Sequence, residues 1–327
     1  MALPPSLLIR TAKTVWTTLW RTMMGQMAPS SASGAYQRPA SQFCDRIPSE
    51  NFPAVPERYR LIVGMGCPWA HRTLVVRALK GLEEAVPVTV VSPSGDEGCW
   101  VFDQPDPDTS LGCRTLPQFY RQAQSGYDGR ATVPLLWDSQ TRRIVNNESA
   151  EIIEILNDVF NPWASHGELD LYPEDQRADI DRWNQRVYHS VNNGVYRCGF
   201  AQSQGAYDEA FQELFATLDE IDQLLASQRY LCGPALTLAD VRLFTTLIRF
   251  DVVYYSLFKC NRQRIADYEH LSAYLRELYQ QPGIAATCDV DAVKRDYFGN
   301  LFPLNPGGII PQGPDLTYLE APHGRAG

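Results

Sequence analysis

The run Cys67-Pro68-Trp69-Ala70-His71-Arg72 sets a single thiol between an apolar stretch, Arg60 to Gly66, and a segment that reads as a helix. Backbone N–H groups at a helix start lack partners and the macrodipole favours negative charge there, so a thiolate is favoured over a thiol. Pro68 suits the first helical position, having no N–H to lose and a φ that is already helical. Ala70 decides the type of chemistry. A dithiol redox motif, C-x-x-C, would carry its second cysteine there. Without it Cys67 cannot close an internal disulfide, and a small external thiol must resolve any mixed disulfide formed on it. The alternative is a buried structural cysteine, a common fate of free Cys; Pro68 and the strand-turn-helix context point to the nucleophile.

The elements that must position this thiol follow from periodicity. Arg60 to Val63 suits a short buried strand, residues 68–80 a helix and Pro87 to Val91 a second strand, together a βαβ unit. From Ser92 to Arg130 the chain is dense in Pro, Gly and Asp, with Asp103, Pro105, Asp106, Pro107 and Asp108, and is expected to be a long functional loop. Thr132 to Asp138 and Ile144-Val145 form a hairpin. Pro134 is out of place in a ladder; it is either an ordinary edge proline or a cis-proline opposite the thiol. Asn147-Glu148-Ser149-Ala150 opens a helix, and βαβ followed by ββα is the thioredoxin-type order.

The second half turns helical. Phe211, Leu214, Phe215, Leu218, Ile221, Leu224 and Leu225 form a 3.6-period stripe that needs no reading beyond core packing. Thr237-Leu238-Ala239-Asp240 is a capping box ahead of a helix to Arg249, which makes Asp240 structural. A further helix over 271–279 stops at Gln281-Pro282-Gly283.

A chain of 327 residues, 44% hydrophobic and 20% charged, is long enough for two globular domains. Net charge of −9 argues against a nucleic-acid surface and leaves small molecules or proteins as partners. Eight cysteines without paired spacing point to a reducing, cytoplasmic compartment, and no zinc-type spacing accompanies them. The first 30 residues hold Arg10, Lys13 and Arg21 but no acid, with apolar residues at roughly helical spacing. They are too interrupted to span a bilayer; an arm packed on its own fold or a partner subunit is expected, with a membrane-surface or targeting helix as the alternative. Gly34 to Pro56 reads as an extended lead-in whose Tyr36 and Phe43 pack locally. The expected divisions are an N-terminal arm and lead-in over 1–56, a thioredoxin-like domain over 57–160, an all-helical domain over 174–300 and an extension over 301–327.

An α/β thioredoxin-like half with a cysteine at its first helix, joined to an all-α half with a capping box, resembles the glutathione transferase fold. Cys67 to Thr73, Trp100-Val101-Phe102, Thr132-Val133-Pro134, Asn147-Glu148-Ser149, Val191 to Tyr196, Arg249-Phe250-Asp251 and Asn305 to Ile310 resemble, in order, the glutathionyl-hydroquinone reductases, or Xi-class glutathione transferases. The resemblance implies reductive removal of glutathione from a glutathionylated hydroquinone, with glutathione as co-substrate, no metal, and a homodimer formed through the helical domain. It places catalysis at Cys67, Tyr196 and Tyr297, with Tyr254 in the aromatic pocket. Glutathione would be held by Trp100 and Arg130 from the long loop's side, by the backbone of Val133, and by Glu148 and Ser149; for that last pair, plain helix capping after Asn147 is the alternative reading. Cys99 stands where the family usually has glycine, and Gly299-Asn300-Leu301 where a Ser-His pair is commoner. An Omega-like thiol transferase or dehydroascorbate reductase would use the same thiol, and a non-catalytic ligand-binding relative would not need it.

Overall fold

The protein is represented by a computed structural model that describes residues 4–105 and 108–325, so Asp106 and Pro107 of the expected loop lie outside the described residues. Its sheet grows from β1 (Tyr59–Val63), whose Leu61, Ile62 and Val63 are fully buried. Beside it lie β2 (Val88–Ser94) in parallel and β4 (Leu135–Asp138) antiparallel. β3 (Cys99–Phe102) and β5 (Arg143–Asn146) close the two edges, in the order β3-β2-β1-β4-β5. A strand buried on both faces must be a continuous apolar run rather than an alternating one. β1 and β4 are such strands.

The stretch from Ser92 to Arg130 is not a plain loop. β2 runs three residues past Val91, β3 folds back on it with Pro93 opposite Trp100, and α3 (Leu116–Ala123) follows. The turn-forming Pro, Gly and Asp residues masked two short elements. Thr115 was the available signal: its side chain accepts from the Gln118 N–H while the Gln118 side chain reaches back, a reciprocal capping box.

α2 (Pro68–Lys80) carries the Cys67 motif and ends on Gly81, whose φ of 64° favours glycine. It packs between α4 (Ser149–Asp158) of its own half and α8 (Leu238–Arg249) of the helical half. The helical half further holds α5 (Arg177–Val187), α6 (Gly194–Gly199), α7 (Gln204–Leu225), α9 (Glu269–Tyr279) and α10 (Val290–Asn300). Before α6 and after α8 the helical path widens to i→i+5 bonding: the Asn193 N–H donates to Tyr188 O at 2.9 Å and the Tyr255 N–H to Phe250 O at 2.8 Å. Such widened turns concentrate at functional sites.

The N-terminal arm is α1 (Pro5–Met27), exposed along most of its length and tied down near its end. Trp20 donates from Nε1 to Pro303 O at 3.1 Å, and Met24 is fully buried. The arm thus packs on its own C-terminal extension. The lead-in reaches further than local packing: Tyr36 sits edge-on to Phe200 at 5.4 Å in the helical half, and Phe43 edge-on to Tyr120 at 5.8 Å in the other. Among the described residues all eight cysteines are free, and no helix is long and apolar enough to cross a membrane.

Asp240 is fully buried and accepts from the Leu231 and Thr237 N–H groups, the Thr237 hydroxyl and the Tyr274 hydroxyl, all within 2.9 Å. It seats the start of α8 and ties it to α9. Asp240→Ala strands these donors in the core and is expected to cost about 2–4 kcal/mol. Urea unfolding with an unchanged midpoint would contradict that role.

Candidate active site

The turn between β1 and α2 makes the site. The Cys67 N–H donates to Gly64 O at 3.0 Å, the Cys67 backbone is extended (φ −76°, ψ 119°), and Pro68 starts the helix behind it. The thiol therefore lies at the N-cap, facing the free N–H groups of the first turn. Its Sγ donates to Val133 O at 3.6 Å, and the Val133-Pro134 peptide is cis and just ahead of β4, the second of the two alternatives read for Pro134. Burial pushes the thiol above its ordinary value; the N–H groups of Trp69 and Ala70 and the charges of Arg38 and Arg249 pull the other way. The helix-start argument alone expects a lowered value. Desolvation outweighs it here.

Two regions meet at this turn. On one side opens a cavity of about 250 Å³, lined by Val133, Glu148, Ser149 and Arg130 from the predicted set; Cys67 itself is not among the lining residues and borders it through Val133 and Trp69. Glu148, rather than Asn147, caps α4, accepting from the Ala150 N–H at 3.0 Å. Asn147 is occupied elsewhere, accepting from the Phe43 N–H and donating toward Tyr120 and Thr132. Ser149 lies over the buried Arg72, whose Nη1 donates to its hydroxyl at 3.4 Å. Trp100 is not among the residues lining the cavity. It stands on β3 against Gly64, where an added Cβ would come within 2.3 Å of the indole.

On the other side is a cluster of phenols. Tyr196 and Tyr297 hydroxyls are 2.5 Å apart, and Tyr254 and Tyr297 hydroxyls 3.0 Å. Burial holds all three pKa values above the usual range, Tyr196 and Tyr297 well above, so each remains a proton-bearing phenol at neutral pH. Tyr254 is fully buried and Tyr297 nearly so, whereas Tyr196 is only half-buried. Tyr254 therefore joins the same chain of hydroxyls as the other two.

Trp69 connects the two regions. It lines the cavity, stacks on Tyr196 at 6.4 Å between ring centroids, and lies under the Arg38 guanidinium at 3.8 Å. Trp69, Arg38 and Tyr36 were not singled out from the sequence as site residues. The last two lie in the lead-in, which walls the cavity and whose Ser41 hydroxyl donates to Glu148 Oε2 at 2.9 Å. Their signal was weak: an arginine and an aromatic in a segment without periodicity. Among the described residues no cluster of His, Cys, Asp or Glu could hold a metal ion.

Comparison with known proteins decides the family. Residues 66–159 match the profile described as glutathione S-transferase, N-terminal domain, and residues 204–277 its C-terminal counterpart. Glutathionyl-hydroquinone reductase YqjG of Escherichia coli (strain K12) is 44% identical over 95% of this chain and 96% of its own. The chain belongs to the glutathionyl-hydroquinone reductases.

A second member of the family, PcpF of Sphingobium chlorophenolicum, is 45% identical over 92% of this chain and 94% of its own. The crystal structure of glutathione-S-transferase Xi from Phanerochaete chrysosporium superposes with a TM-score of 0.83 at 44% identity, covering 87% of this chain and 94% of that one. The glutathione-bound structure of YqjG gives 0.80 at 45% identity over 90% and 94%. The departures from the family pattern fall outside the cavity lining. Cys99 is half-buried on β3 opposite Ser94, and Gly299 is exposed near the end of α10.

Asp296, next to Tyr297, accepts from the Gly66 N–H at 3.1 Å, and a Cβ on Gly66 would lie 2.1 Å from its Oδ2. Burial raises its carboxyl to about 6. A pKa higher in the folded than in the unfolded state means stability is fullest with the proton on, and is lost as pH rises from the ordinary Asp range, near 3.8, through about 6. Asp296→Asn keeps an acceptor for Gly66 and needs no ionisation, so it is expected to raise the melting temperature at neutral pH by a few degrees and to leave it unchanged well below pH 4. Equal shifts at both pH values would refute the titration.

Proposed function

We propose that this chain removes glutathione from glutathionyl-hydroquinones, with Cys67 as nucleophile and the tyrosine cluster as proton donor. The supporting observation is one thiol at a helix start, bonded to Val133 of the cavity wall, with its neighbour Trp69 stacked on the first of three hydrogen-bonded, neutral phenols. The Cys67 thiolate attacks the sulfur of the thioether. A Cys67-glutathione disulfide forms and the sulfur–carbon bond breaks with its electron pair on the ring carbon. Tyr196, the least buried of the three phenols, supplies the proton that turns this carbanion-like group into free hydroquinone; Tyr297 and Tyr254, hydrogen-bonded behind it, spread the resulting charge. A second glutathione, as thiolate, then attacks the mixed disulfide, releases glutathione disulfide and returns Cys67; its proton refills the phenol. Ring carbon is reduced and glutathione sulfur oxidised, so no other redox partner is needed.

Glutathione brings two carboxylates and one ammonium. Glu148 takes the ammonium, Ser149 and the start of α4 the γ-glutamyl carboxylate, and the Val133 backbone pairs with the cysteinyl residue as a strand would. Arg130 faces the remaining carboxylate, and Trp100 supports the thiol turn from behind. The reading includes the domain divisions at 57–160 and 174–300, a cytoplasmic enzyme, and a homodimer through the helical half.

Incubation with a glutathionyl-hydroquinone and reduced glutathione should release hydroquinone and glutathione disulfide, and Cys67→Ala should abolish both. A Cys67→Ala protein of full activity would end the proposal, and activity confined to dehydroascorbate would favour the Omega-like reading. Tyr196→Phe combined with Tyr297→Phe should lower kcat by roughly 10²-fold or more with glutathione affinity largely retained. A loss confined to glutathione binding would remove the tyrosines from the chemistry.

A further inference from the structure

Arg249 closes α8 in the helical half, 2% exposed, yet its guanidinium grips the other half. Nε donates to Gly66 O at 3.0 Å and Nη2 to Met65 O at 3.1 Å, the two carbonyls immediately before Cys67. Nη1 donates to Thr245 O at 3.1 Å and to His71 Nδ1 at 2.7 Å. Because arginine only donates, His71 must accept at Nδ1 and carry its proton on Nε2, which faces the Thr287 hydroxyl at 2.8 Å. Burial and the neighbouring guanidinium keep that imidazole neutral.

Every one of these partners is uncharged. No carboxylate hydrogen-bonds this buried cation; the acid its charge reaches is Asp296, whose Oδ2 accepts from the Gly66 N–H instead. The charge acts on Cys67 and, within the cluster, on Tyr254 and Tyr297, in each case favouring the anionic form. Its other titratable neighbours are Cys288, pushed up to about 11 by burial, and Asp296, already turned toward Gly66.

We propose that Arg249 is a positioning residue for the reaction: it fixes the Met65-Gly66 turn that aims Cys67, and its charge, hydrogen-bonded only to neutral groups, is the counter-ion for the anion that passes between Cys67 and the tyrosine cluster in each turnover. The inference rests on the reading of those groups as the reacting ones. Charge resides first on the Cys67 sulfur, then on the phenols once the proton has gone to the ring, and returns to sulfur when glutathione disulfide leaves. One fixed cation behind both stations holds it throughout without rearrangement, which is where preorganised charge acts most strongly.

The test is alkylation of Cys67 by iodoacetamide, followed peptide by peptide across the neutral-to-alkaline range in the full-length, substrate-free protein. Arg249→Met should raise the midpoint of Cys67 reactivity by roughly one pH unit or more. A folded Arg249→Met protein with the wild-type midpoint would overturn the proposal. Arg249→Lys keeps the charge and loses the planar fork, so its midpoint should stay near wild type while turnover falls roughly ten-fold. It also decides the matter where Arg249→Met does not fold: wild-type turnover in Arg249→Lys, or a midpoint raised as far as charge removal predicts, overturns the proposal. The alkylation arms need no substrate, so they stand whether or not wild type releases hydroquinone, which is the separate test of the reaction.

Discussion

The turn from Gly64 to Cys67 is gripped from both halves of the molecule, and the rest of the site depends on that grip. The thioredoxin-like half supplies the thiol, the unpartnered N–H groups behind it and the Val133 carbonyl before it. The phenols come from the other half, and Gly66 and Asp296, which join the two, are 230 residues apart in sequence. In the proposed reaction the nucleophile and its proton donor must be held at a fixed separation. Here α10 carries Asp296 onto the thiol turn and Tyr297 into the hydroxyl chain with consecutive residues.

Chemistry within one local segment was legible from sequence, and chemistry assembled across segments was not. Cys67, Pro68 and Ala70 announce a monothiol at a helix start because the whole argument lies within four residues. The strand β1, the helix Pro68–Lys80 and β4, which starts at Leu135 rather than Thr132, followed from runs and breakers of the same local kind, whereas a cis peptide before Pro134 was one of two readings and rested on the thioredoxin-type element order. The tyrosine chain entered through family resemblance alone, since nothing local marks Tyr254 out from the chain's 16 tyrosines. β3 and α3 were hidden because they are four and eight residues long inside turn-rich composition. The cavity wall from Tyr36 to Gln42 was hidden for another reason: it has no regular structure, and its shape comes from what it is tied to.

Electrostatics in the site follow the same division. Desolvation is the largest influence on the Cys67 thiol and on each of the three phenols, and it pushes all four pKa values up. The cations Arg38 and Arg249 oppose it at the thiol from opposite quarters, one from the lead-in over Trp69 and one from α8 beneath the turn.

The lead-in is fastened at both ends to different bodies. Gly34 O accepts from the Gln202 N–H in the helical half, the Asp45 N–H donates to Val145 O in the sheet, and the cavity wall is the chain strung between them. It behaves as a tie-rod across a joint. The width of the cavity beneath the lead-in is therefore set by how the two halves sit against each other, and not by the lead-in's own folding.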